Sequence, residues 1–241
     1  MTERVAEASP RLQARIAGAL YLIIFIAGPF AEFFVRDRLV VYRDAAATAT
    51  NILAHEPLYR SGGAATLITV ACEPAVALIF YELFKPVSRS VSLLAAFFRL
   101  VYAAMNGANQ LLHFAPLVLL GGAHSTAFKA DQLQELSLAS LRLYVQGLWI
   151  TLIFFGFHCL LLGYLIYRAA FLHRILGLMM AIAGLCYVIH SFARLLAPAF
   201  GAHLFPYMIA PGFVAELSLT LWLLVIGVNA QRWKEQANAA V

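Results

Sequence analysis

The chain has 241 residues, of which 63% are hydrophobic and only 12% charged, with a mean hydropathy of +0.82. Soluble domains carry about 25% charged residues, so this composition excludes an ordinary water-soluble domain and suits about five to seven membrane helices in one bundle. The net charge of +5 lies mostly in loops and ends, with no basic aromatic platform or zinc-finger spacing, which excludes a nucleic-acid binder and leaves topology and anionic lipid as its meaning.

Residues 1–15 form a short polar segment broken at Pro10 and are expected in the cytoplasm. The first apolar run follows Arg4, Arg11 and Arg15 and resembles a signal peptide, but it continues past Pro29 to Phe34 and is expected to be retained as a membrane helix over 16–34. Gly28 and Pro29 are placed to kink it, and Glu32 falls near its far end. Residues 35–61 are richer in charge. Their centre, DAAATATNILAHEPL, predicts a small interfacial helix capped by Asp44 and ended by Pro57.

A second helix is predicted over 62–84, with Glu73 and Pro74 near its middle and a basic turn at Lys85 and Pro86 after it. The third, 91–120, is the most informative stretch. It is apolar enough for lipid yet carries Arg99, Asn106, Asn109, Gln110 and His113 ahead of Pro116. Arg99, Asn106 and His113 are spaced by seven residues, so their side chains form a stripe that must face other helices or a wet cavity.

Gly121 and Gly122 release the chain into a polar loop, 123–141, in which 128–140 has the pattern of an amphipathic helix. The fourth helix is predicted over 143–167 with Gln146 and His158, the fifth over 175–192 after a basic turn around His173, and the sixth over 208–228, interrupted at Pro211 and Gly212 and carrying Glu216. Residues 231–241 form a tail. The expected fold is therefore all-α, a polytopic six-helix bundle with one membrane domain over 16–230.

Six crossings put both termini on one side. That side receives nine Lys or Arg residues against seven on the other, and the two very short turns on it each carry two. The positive-inside rule then makes both termini cytoplasmic, in a bacterial inner (plasma) membrane. No fixed-period repeat is visible, which leaves an inverted-repeat transporter without support.

Glu73 is the sharpest single feature, because an ionised carboxylate at mid-helix needs a partner or a proton. Glu82 lies at a depth similar to that of Arg99 across the short turn, so Glu82–Arg99 is the expected structural pair, with Glu73–Arg99 as the alternative. Glu216, Asn109, Gln110 and His113 are expected to meet at one level. His158, a lone histidine among aromatics, reads as a packed group. His113, His158 and His190 lack ligand spacing, so neither a metal nor any other cofactor is expected. Cys72, Cys159 and Cys186 sit in apolar segments without a CxxC and read as small packed side chains.

The segments FFRLVYAAMNGANQLLHFAPLVLL, FFGFHCLLLGYLIYRAAFLHRILG and PGFVAELSLTLWLLVIGVN resemble the bacterial integral membrane proteins grouped as domain of unknown function 4386. The resemblance runs from Arg15 to about Asn229 and implies a multi-helix inner-membrane protein. It draws attention to Glu73, Arg99, Asn109, His113, His158, Arg174 and Glu216, with no catalytic residue established in the family. Relatives often carry proline where this chain has His173.

The candidate polar intramembrane site is thus Glu73, Arg99, Asn109, Gln110, His113, His158 and Glu216. Three functional classes remain open: handling of an ion or small polar solute, an intramembrane enzyme or cofactor-binding protein, and a structural or regulatory subunit. The lipid bilayer is the expected partner; the sequence leaves an oligomer or a membrane partner open.

Overall fold

A computed structural model describes residues 9–121 and 128–239. Residues 1–8 of the predicted cytoplasmic segment, Gly122 and residues 123–127 of the predicted loop lie outside it. The regular structure of the described residues is all helix, without strands. Helix α1 (Pro10–Pro29) passes through a π-helical stretch, Phe30–Arg36, into the short α2 (Asp37–Leu39). Then come α3 (Ala45–Ala54), α4 (Glu56–Phe84), α5 (Arg89–Gly121), α6 (Ala130–Arg168), α7 (Arg174–Leu196), α8 (Pro198–Leu204), α9 (Ala210–Val225) and α10 (Ala230–Ala239).

Local chemistry explains the ends. Ser9 caps α1 and Pro10 occupies its first turn, so this proline starts the helix, where its missing N–H costs nothing. Pro29 lies inside the helix, and the backbone relaxes into the π-helical turn just after it. Asp44 accepts the amide of Ala47 and caps α3 as expected. Pro57 differs from expectation: it lies in the first turn of α4 rather than ending α3. The amphipathic segment before the fourth helix is continuous with it, giving a 39-residue α6.

Five spans, Pro10–Leu39, Glu56–Phe84, Arg89–Gly121, Ala130–Arg168 and Arg174–Leu196, are long and apolar enough to cross a membrane. The sixth helix, α9, has 16 residues, or about 24 Å at 1.5 Å per residue. It runs antiparallel to α1. A Cβ added at Gly18 would strike the backbone of Leu223 and Leu224, and Phe25 meets Phe213 at 4.6 Å between ring centroids. At Gly227, with φ of 75°, the chain turns, and α10 departs at 101° across the end of the bundle. There Trp233 donates to the Leu83 carbonyl (2.8 Å).

In chain order α1, α4, α5, α6, α7 and α9 each pack on the next, and α9 closes the ring against α1. The tightest seam, α6 on α7, is made by glycines seven apart. Gly156 faces Gly184 and Gly163 faces Gly177, each within touching distance of the other helix's backbone. Such close approach lets dispersion hold helices together where lipid supplies no hydrophobic drive. The outward faces carry Ile26, Leu78, Leu111, Val118 and Val225, all more than 60% exposed, whereas Arg99, Glu73, His158 and His190 are buried. A polar interior inside an apolar exterior is the arrangement lipid demands.

Candidate functional site

The ring closes on Arg99. Its side chain is 0% exposed and that of Glu73 2%. Arg99 Nε donates to Glu73 Oε2 at 2.5 Å, and Nη1 donates to His158 Nε2 at 3.0 Å. Because a guanidinium is donor only, Nε2 must be the acceptor. The His158 proton therefore sits on Nδ1, which donates to the Ala95 carbonyl at 2.9 Å. The guanidinium carbon lies 4.7 Å from the Tyr21 ring centroid, 5.7 Å from Phe80 and 5.8 Å from Phe155, an aromatic cage that favours a desolvated cation. Nη2 is buried with no acceptor among the described residues.

The expected Glu82–Arg99 pair does not form: Glu82 pairs with Lys85 in the adjacent turn, and Glu73 takes the arginine. On α4 these acids are nine residues apart, half a turn out of phase at 100° per residue, so only one faces the ring interior.

Glu216 reaches this centre through tyrosines. Tyr187 donates to Oε1 at 2.5 Å and Tyr21 to Oε2 at 3.4 Å, so Tyr21 touches Arg99 with its ring and Glu216 with its hydroxyl. Gly212 makes room, since a Cβ there would collide with the Tyr187 phenol. Pro211 lies in the first turn of α9 and does not interrupt the helix.

Glu216 therefore does not meet Asn109, Gln110 and His113, contrary to the expected single level. Those three form a separate latch. Tyr59 donates to the His113 carbonyl (2.5 Å), and His113 Nε2 donates to the Tyr59 carbonyl (3.3 Å), with the two rings stacked 4.4 Å apart. Asn109 donates to the Tyr144 carbonyl (2.9 Å) and Gln110 to the Tyr144 hydroxyl (3.3 Å). Gly147 leaves space for Asn109. The latch ties the first turn of α4 to α5 and α6.

At the same end of the bundle a cavity of about 540 Å³ lies between the π-helical stretch with α2, the helices α5, α6 and α7, and the segment leading into α9. Its wall includes Arg36, Arg142 and Arg194, and its floor includes Tyr102 and Leu152. Arg36 pairs with Glu32 and lies 4.5 Å over the Tyr144 ring. Burial raises the phenol of Tyr42, another lining residue, above its ordinary value. Tyr21, Tyr187, Tyr59, Tyr144 and this arginine group were not singled out by the sequence. A tyrosine in an apolar helix carries no charge to announce its role, and Arg36, Arg142 and Arg194 read in the sequence only as charges of the loops and helix ends. Among the described residues no group of three His, Cys, Asp or Glu side chains is arranged to hold a metal ion.

The fold and its polar centre define an all-α multi-pass membrane protein. Residues 16–227 match the family described as Domain of unknown function (DUF4386), and the chain belongs to that family. It is also similar to an uncharacterized protein of Archaeoglobus fulgidus, 26% identical over 160 residues, which cover 66% of this chain and 80% of the relative. No solved structure matches the chain.

Proposed function

We propose that the chain handles an ion or small polar solute in a bacterial inner (plasma) membrane, with the cluster around Arg99 as an occluded site and the arginine-walled cavity as its vestibule. One observation carries this reading. Tyr102, on the cavity floor, is one helical turn from Arg99, and its ring lies 4.8 Å from that of Phe155, which itself covers the guanidinium at 5.8 Å. The Tyr102 and Phe155 rings are, in this reading, the gate between the cavity and the charged centre. In this reading Glu73 supplies the countercharge, Arg99 Nη2 is the donor open to a solute, and Glu216 with its two tyrosines is the second polar wall.

The cytoplasmic placement of both termini follows from charge. Three of the seven basic residues assigned to the opposite side, Arg36, Arg142 and Arg194, line the cavity, so fewer remain on those loops to oppose the positive-inside bias.

The latch favours a structural reading for part of the candidate set, since Asn109 and His113 bond to backbone carbonyls of neighbouring helices. An enzyme would need two or more of Glu73, His113, His158 and Glu216 within reach of one another in a pocket open to lipid or to one water face, and Glu73, His113 and His158 are each at most 3% exposed. The test is uptake by vesicles reconstituted with the full chain, using protons, inorganic phosphate and acetate as probes. Flux above empty vesicles that falls about tenfold or more in Glu73→Gln is expected, from the loss of a charge-assisted contact. Flux equal to empty vesicles for all three probes moves the Arg99 cluster to a purely structural role.

A further inference from the structure

The cavity carries an inference of its own, beyond the solute reading and independent of whether anything passes the Tyr102–Phe155 floor. Its polar wall holds more donors than the protein satisfies. Arg36 is neutralised by Glu32. Arg142 spends one Nη2 bond on the Tyr42 carbonyl (2.7 Å), and its side chain is otherwise free of carboxylates among the described residues. Arg194 forms no ion pair among the described residues, and its Nε is buried without an acceptor. Trp149, under Arg194 at 5.2 Å, also has a buried indole N–H without an acceptor. Behind Trp149 and outside the cavity lining, His190, 0% exposed, packs 5.0 Å from the indole, and neither of its ring nitrogens has a partner among the described residues.

Unsatisfied buried donors cost about 1–3 kcal/mol each, so a cluster of them in a roomy cavity marks a site whose acceptor comes from outside the chain. Two acids lie on the same wall: Glu32, held by Arg36, and Asp37, which is exposed. Tyr42, Tyr102, Gln146 and Thr151 add polar atoms to the lining, and the rest of it is apolar. Phe33 and Phe205, 56% and 49% exposed, stand with Val145, Leu152 and Ile209.

We propose that this cavity binds an amphiphile with an oxyanion head, phosphate or carboxylate. The head accepts from Arg142, Arg194 and the Trp149 indole, and its hydrocarbon chain lies against Phe33, Phe205 and Ile209. Guanidinium groups suit such heads because they offer paired N–H donors to planar or tetrahedral oxyanions. The apolar wall gives affinity that a bare anion lacks.

The test is titration of the purified full chain in neutral detergent with decyl phosphate, inorganic phosphate or 1-decanol, read by thermal stability and by native mass spectrometry. Decyl phosphate is expected to bind once per chain and to raise the melting temperature. Arg142→Gln and Arg194→Gln are each expected to weaken it about tenfold or more, as lost charge-assisted bonds do. Arg194→Lys keeps the charge and serves if the glutamine variant does not fold. An anionic lipid that co-purifies with the chain and is lost in the variants identifies the membrane as source; a chain that purifies empty yet binds decyl phosphate identifies a soluble amphiphile. Decyl phosphate binding unchanged by the arginine variants, or matched by 1-decanol or by inorganic phosphate, overturns the proposal. None of these readouts involves flux, so a failure here is separable from a failure of transport.

Discussion

Replacing Glu73 by leucine leaves the Arg99 guanidinium 0% exposed with no anionic partner among the described residues. What remains is one neutral acceptor, His158 Nε2 at 3.0 Å, and the Tyr21 face at 4.7 Å. A desolvated cation–π contact offsets about 2 kcal/mol, less than the penalty of a buried unpaired ion. Breaking such a pair from one side costs about 3–5 kcal/mol, and the upper part of that range is expected here because arginine cannot shed its proton. Arg99→Leu is expected to cost less, since the stranded Glu73 can take up a proton and become neutral. Glu73→Leu with Arg99→Leu removes both ions and is expected near wild type or above it, as apolar replacements of buried pairs often are. Unfolding of the purified chain in mixed micelles, titrated with dodecyl sulfate, measures all three. A double variant that costs the sum of the two singles refutes the pair, because independent sites add.

Tyr59→Phe strips the donor from the His113 carbonyl and is expected to cost about 1–3 kcal/mol, with faster hydrogen exchange confined to the first turn of α4 and the end of α5. Gly163→Val drives a side chain into the α7 backbone, where even a Cβ would lie 2.6 Å from the Ala181 nitrogen. Overpacking of this kind costs about 1–3 kcal/mol and is expected to lower the unfolding midpoint, whereas Gly28→Ala, with open space around it, is expected to leave it unchanged.

Helices were legible because lipid imposes a coarse rule: long apolar runs cross, and polar groups turn inward. Glu73 and the stripe from Arg99 to His113 were visible on those grounds alone. The choice of Glu73 over Glu82 was readable in principle, because Glu73 shares its face with Val76, Ala77 and Phe80, all buried, at helical spacing. Depth below the membrane surface was the wrong criterion; rotation about the helix axis decides the partner. Pro10 reads in the sequence as a break and Pro57 as a helix end, yet each lies in the first turn of the helix that follows, because a proline that can end one helix can equally open the next. The link from Glu216 to Arg99 was not legible, since it runs through Tyr21, on α1, which meets α9 only when the ring closes.

The most direct test of the occluded-site account uses Cys159, which adjoins His158 and is 0% exposed. With Cys72 and Cys186 replaced by serine, the full chain in membranes is treated with a small water-soluble thiol reagent, and modification is compared with the rate of global unfolding. If the Arg99 centre is reached through transient opening of the Tyr102–Phe155 floor, Cys159 reacts much faster than the chain unfolds, and Glu73→Gln alters that rate. If Cys159 reacts only as fast as the chain unfolds, the centre never opens, and the solute-handling account is contradicted.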